Sequence, residues 1–379
     1  MFKPKIIIVF SLVVLAVAFF VVRHNRTNLF YQCEKSGKIS KVSCWEDLTR
    51  TIVKKEGISR AFDFIAYAYD QDSEFAQPCH AMVHIIGQAA YIQFRSTGSV
   101  ELSQKTASCA FGFYHGFMET LVARKGTIEE ARDFCEYVDE TLKEITPNAK
   151  YSCYHGIGHG STDVHSPTYY GNEQAIVSQA LVNCEAFAQD DHQLKLCATG
   201  IFDSISIAYY NNGQNGLVMK KDDPLWLCHA QPQKYKEACY RDMMPAVIWM
   251  GEHDLVKAAP IVFTHAEETY KEFALKILAE NSIRFIMNKT PATIYVPFCR
   301  GTAYHMSCIE GLASGVMQFG PPDREYEGAL SFCRESILTL EEKKMCMEET
   351  LGYTKARYGK KKVADICAVV EEEYKTYCN

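Results

Sequence analysis

The sequence contains no C-x-x-C pair, although it carries 16 cysteines. Zinc ribbons, c-type haem attachment and thioredoxin-like redox chemistry therefore lack their signature. H-E-x-x-H is also missing, which excludes the standard zincin helix. There is no G-x-S-x-G elbow, no P-loop and no dinucleotide fingerprint. Positive charge is in deficit: 40 Lys and Arg stand against 46 Asp and Glu, for a net charge of -6. A basic field for nucleic acid is thereby excluded, and the short run Lys360 to Lys362 reads as a solvated helix face. No tract is of low complexity. Period-two alternation is never sustained, so strands are not expected. The polar stretch Asn211 to Gly216 reads as a loop.

What is present begins at the N-terminus. Lys3 and Lys5 precede an apolar run from Ile6 to Val22, interrupted only by Ser11, and Arg23, His24 and Arg26 follow. That length is at the short end for a spanning helix. Ala16-Val17-Ala18 fits a signal-peptide cleavage pattern, but cutting there would leave Phe19 to Val22 exposed at a new terminus. The expectation is an uncleaved signal anchor at 6–22, with a cytoplasmic tail at 1–5, a linker at 23–32 and a body at 33–379. The flanking charges nearly balance and do not orient it. The cysteines do: all of them follow the apolar run, and their number is even. So many thiols outside clustered zinc motifs belong in an oxidising compartment, so the body is expected in a periplasm, at a cell surface or in a secretory lumen. The membrane, reached through the N-terminal helix, is the one partner this implies directly.

Taken consecutively, the cysteines form eight close couples. Cys33 goes with Cys44, Cys79 with Cys109, Cys135 with Cys153, and Cys184 with Cys197. Cys228 goes with Cys239, Cys299 with Cys308, Cys333 with Cys346, and Cys367 with Cys378. The pattern predicts neighbour disulfides. Four couples open alike, with a small or aliphatic residue one helical turn before the cysteine: Ala131 before Cys135, Ala180 before Cys184, Ala329 before Cys333 and Val363 before Cys367. Thr127 followed by Glu129 and Glu130 reads as a helix N-cap. Cys109, Cys153, Cys197 and Cys308 each begin C-x-x-G and are expected to open the partner helix. Cys109, Cys153, Cys197 and Cys239 recur at 44, 44 and 42 residues. The expected fold class is thus all-α, a solenoid-like array of tandem two-helix repeats stapled by disulfides, behind one transmembrane helix.

Histidines gather in the first of these units. His80 and His84, His115 and Glu119, and His155 and His159 are i,i+4 pairs, each on one face of its helix. His115, His159 and Asp203 all stand six residues after a C-x-x-G cysteine, and Glu119 and Asp163 stand ten after. Units stacked in register would align the first three as a column. These are ligand types for zinc or non-haem iron. The metal set is His80, His84, His115, His155, His159 and Asp203, with Glu119 and Asp163 as candidate general bases for a metal-activated water. The expected function is a metal-dependent hydrolase or oxygenase. The alternative is a non-catalytic helical module for a protein or peptide partner, in which the histidines serve packing.

Overall fold

The computed structural model describes residues 30–31, 33, 38–162, 167–210 and 216–378. The expected anchor, most of the linker after it, and Asp163 lie outside them. The described residues are helical throughout and contain no strand. No helix among them is long and apolar enough to cross a membrane.

The first half comprises α1 (Lys38–Glu56), α2 (Ile58–Gln71), α3 (Cys79–Thr97), α4 (Gly112–Ala123), α5 (Ile128–Leu142), α6 (Ala149–Ser161), α7 (Glu173–Phe187) and α8 (Asp191–Tyr210). Then follow α9 (Trp226–His229), α10 (Gln233–Asp242), α11 (Met244–Met250), α12 (Leu255–His265), α13 (Lys271–Ile286), α14 (Val296–Arg300), α15 (His305–Phe319), α16 (Glu325–Arg334), α17 (Leu340–Arg357) and α18 (Lys360–Ala368).

Two kinds of helix make two layers. Helix α5 buries Ala131, Phe134, Cys135, Val138 and Leu142, a single stripe at helical spacing, and keeps its other face in solvent. It starts on a capping box: the Glu130 amide donates to Thr127 Oγ1 at 3.1 Å and the Thr127 amide to Glu130 Oε2 at 2.9 Å. Helix α4, by contrast, buries seven consecutive residues, Gly112 to Met118. It belongs to an inner row in which α3, α4, α6, α8, α10, α13, α15 and α17 each pack on the next. Helices such as α5, α7, α12 and α16 cover that row from outside.

Close approach within the inner row depends on glycine. A methyl group on Gly158 of α6 would sit 1.9 Å from the Cys197 carbonyl oxygen, and one on Gly200 of α8 would sit 1.9 Å from the His155 oxygen. Glycine costs about 1 kcal/mol of helix propensity at each place, and the backbone contact it permits sets how far apart side chains on α6 and α8 can be.

The row does not run open as a solenoid would. Its end returns to its beginning. Arg357 on α17 is buried and donates to the Ala107 carbonyl at 3.0 Å and to Glu325 at 2.5 Å. The Asn148 amide donates to the Ala356 carbonyl at 3.2 Å, and Arg284 on α13 donates to the Gln77 carbonyl at 2.8 Å. Tyr69 on α2 donates to the Phe319 carbonyl. The inner helices therefore ring a central chamber.

All eight cysteine couples are disulfides between sequence neighbours, as their order predicts. In the first half the bonds are Cys33–Cys44, Cys79–Cys109, Cys135–Cys153 and Cys184–Cys197. In the second they are Cys228–Cys239, Cys299–Cys308, Cys333–Cys346 and Cys367–Cys378. No described cysteine is free. Closing a loop of about 15 residues contributes roughly 3 kcal/mol by restricting the unfolded chain, and such dense pairing fits an oxidising compartment. The expectation that the second cysteine opens a helix needs correction. Cys153, Cys197 and Cys308 lie inside helices that begin three to six residues earlier, and Cys109 lies outside, three residues before α4. Cys109, Ala110 and Phe111 all have positive φ, at 52°, 55° and 60°. Left-handed geometry costs a non-glycine residue roughly 1–2 kcal/mol, and such strain concentrates where a site needs it.

Candidate metal centre

Helices α3, α4, α6 and α8 carry the centre side by side. The i,i+4 spacing puts His80 and His84 on one face of α3 and His155 and His159 on one face of α6. His80 Nε2 lies 3.1 Å from His84 Nε2 and 3.2 Å from His115 Nδ1. His159 Nε2 lies 3.2 Å from His155 Nε2 and 3.0 Å from Asp203 Oδ2, and the His155 Nε2 to Asp203 Oδ2 distance is 3.7 Å. The expected column is present as well: the His115 ring stacks on His159 with centroids 4.5 Å apart, and His159 reaches Asp203. Two groups result that could hold a metal ion, His80 with His84 and His115, and His115 with His155, His159 and Asp203.

The outer contacts engage Nδ1 of four rings. His80 Nδ1 is 2.9 Å from the Cys109 carbonyl, which can only accept, so Nδ1 carries the hydrogen. Thr199 Oγ1, which also contacts the Leu196 carbonyl at 2.6 Å, lies 2.7 Å from His155 Nδ1. Ser204 Oγ, which also contacts the Gly200 carbonyl at 3.1 Å, lies 2.9 Å from His159 Nδ1. Glu119 places Oε2 3.4 Å from His84 Nδ1 and Oε1 3.5 Å from His159 Nδ1. With Nδ1 engaged outward in these four rings, Nε2 is the nitrogen left for the interior. This is the outer-sphere pattern of metal-ligating histidines.

Two imidazole nitrogens and a carboxylate oxygen meet at His155, His159 and Asp203, three atoms that can each hold a cation. The spacing also suits a cation. A tetrahedral ion with bonds of about 2.0–2.1 Å separates its ligand atoms by roughly 3.3 Å.

In the metal-free chain a proton takes part of that role. Burial lowers His155 and pushes His80 and His115 well below the ordinary histidine value, helped at His80 by His84 and at His115 by the imidazoles around it. Burial also opposes charge on His159, but hydrogen bonding to Asp203 outweighs it and raises His159. Burial opposes charge on Asp203 too, and the hydrogen bonds from His155 and His159 overcome it, holding the carboxyl well below its usual range. Glu119 is likewise lowered, with the His84 contact overcoming burial.

His80, His115, His155 and Asp203 line a chamber of about 470 Å³. Its far wall carries Arg241, Asp242, Glu280, Arg284 and Tyr353, residues with no warning in sequence spacing. Burial, then the charge of Asp203, pushes Asp242 well above the carboxylate range, and burial raises Glu280. Asp242 Oδ2 is buried and has no hydrogen-bond partner among the described residues. A molecule in the chamber would meet imidazoles as well as buried carboxyl groups beside guanidinium groups. His192, whose polar surroundings suggest simple surface placement, also lines the chamber. His229 and His265 sit apart, around Asp223, and His253 stacks on Phe285.

Compared with protein-family profiles, with curated proteins and with solved structures, the chain matches none.

Proposed function

We propose that the chain is a membrane-anchored, extracytoplasmic metalloenzyme, built from tandem helical units, whose His/Asp centre acts on a molecule held in the central chamber. The convergence of His155 Nε2, His159 Nε2 and Asp203 Oδ2 at ligand spacing carries this reading. Two histidines and one carboxylate are the donor set of non-haem iron, and a nitrogen-rich set with His115 equally suits zinc. Bound there, such an ion supplies either a water of lowered pKa for hydrolysis or a site for oxygen chemistry.

The chain's own residues divide the remaining work. Thr199, Ser204 and the Cys109 carbonyl orient the rings through Nδ1. Glu119 contacts the Nδ1 edges of His84 and His159 and does not line the chamber, so its contacts suit positioning better than proton transfer from a substrate. Arg241 and Arg284 offer positive charge to an anionic part of the bound molecule, and Asp242 and Glu280 place carboxyl groups in the same chamber.

The test is elemental analysis of the full chain, purified oxidised and exposed in turn to Zn2+, Mn2+ and anaerobic Fe2+. At least one tightly held ion per chain is expected, reduced by His159→Ala and by Asp203→Ala. No stoichiometric ion under any loading would overturn the proposal.

A further inference from the structure

This inference rests on the metal reading above and sharpens it. We infer that the centre binds two metal ions, one on His80, His84 and His115 and the other on His155, His159 and Asp203, with the His115 imidazolate bridging them.

His115 belongs to both candidate groups, within each of which the ligand atoms lie within 4.8 Å of one another. The groups share no other residue. Each has its own tight set of contacts, at 3.1 and 3.2 Å in the first and at 3.0, 3.2 and 3.7 Å in the second. All are near the ligand separation of a single small ion, roughly 3.3 Å.

The outer contacts distinguish His115 from its neighbours. A metal-bound histidine normally donates its second ring N–H to an outer acceptor. His80, His84, His155 and His159 each have an outer partner at Nδ1: the Cys109 carbonyl, Glu119, Thr199 and Ser204. His115 is buried, and its one hydrogen-bonding contact among the described residues is from Nδ1 to His80 Nε2, another prospective ligand atom. A ring that belongs to both groups and has no outer acceptor among the described residues is what a bridge requires. Glu119 links the two halves from behind, with Oε2 on His84 of the first group and Oε1 on His159 of the second.

The proton balance is simple. Neutral His115 keeps one N–H when the first ion binds. The second ion forms its bond at that nitrogen as the N–H breaks, and the proton leaves to buffer.

Loading the full oxidised chain with Cu2+ tests this through stoichiometry and spin. Two ions per chain are expected at saturation. An imidazolate bridge couples them antiferromagnetically, so the Cu2+ resonance signal per ion should be far weaker at low temperature than that of the singly loaded chain. His84→Ala should fall to one ion and regain the full signal per ion. His115→Ala, shown to be folded by its circular dichroism and lack of free thiols, should lose the coupling. The wild-type signal decides the question even if a variant does not fold. One ion at saturation, or two ions with no coupling, overturns the bridge and leaves the metal reading standing. No bound ion overturns both.

Discussion

On α6, His155 and His159 stand two and six residues after Cys153; on α15, Glu310 and Ser314 stand two and six residues after Cys308. Both helices are stapled near their starts, to Cys135 and to Cys299. Both press a glycine onto a neighbouring backbone: a methyl on Gly158 would lie 1.9 Å from the Cys197 oxygen, and one on Gly311 would lie 2.1 Å from the Lys276 oxygen. The polar contents differ. Glu310 pairs with Lys276 at 2.7 Å, Lys276 lies 3.3 Å from Glu349, and Ser314 donates to Glu349 at 2.5 Å. The carboxylates there share a lysine of the chain itself. Around α6 no lysine or arginine among the described residues pairs with Asp203, and imidazole nitrogens surround it instead. Stapled, glycine-packed helices thus provide positions at a fixed spacing, and the side chains at those positions decide whether the region closes on itself or calls for an ion.

The largest effect should come from filling the glycine contacts. Gly158→Ala and Gly311→Ala should each destabilise the chain by about 1–3 kcal/mol through overpacking, measured by denaturant unfolding with the disulfides intact. Only Gly158→Ala should also release metal, because it separates α6 from α8 and so His155 and His159 from Asp203. Equal metal content in both variants would mean that ligand spacing does not depend on this contact.

A pH series should sharpen the same contrast. The raised His159 value means that, in the metal-free chain, its protonated form adds stability fully present below the ordinary value of 6.5 and lost as pH rises through the folded value. Ion binding needs the Nε2 lone pair and releases that proton. Below the folded value of His159, the stabilisation given by added Zn2+, followed as a thermal midpoint, should therefore grow with pH, by up to roughly 1.4 kcal/mol per unit for each proton displaced. A shift that shrinks over this range would place the ion away from His159.

The smallest change is expected from Lys276→Met. This half-open ion pair should be worth about 1 kcal/mol or less, and metal content should not move. Loss of metal would show that the two regions depend on each other across the chamber.

Much of the centre could be read before folding because its signals are local. The i,i+4 pairs rely only on helical geometry, and the six-residue offset from cysteine shared by His115, His159 and Asp203 relies only on register. Near-neighbour disulfides follow from the order of the cysteines, from Cys33 with Cys44 at one end to Cys367 with Cys378 at the other. Thr199 and Ser204 were not legible, because a hydroxyl orients a ring only when the ring comes to rest on it. The far wall was hidden for another reason. Arg241, Asp242 and Glu280 reach the chamber only because the row of helices curves into a ring, and contacts such as Arg357 with Ala107 join residues 250 apart in sequence. No local period encodes that closure. The left-handed run at Cys109 to Phe111 likewise left no glycine to announce it.

The ring closure has a consequence for the order of the sequence. Every prospective ligand lies between His80 and Asp203, whereas the residues that seal the ring, Glu325, Arg357 and Tyr358, come more than a hundred positions later. In chain order the ligand set is thus complete before any residue that seals the ring is reached, so the centre and its enclosure are encoded in separate stretches of the sequence.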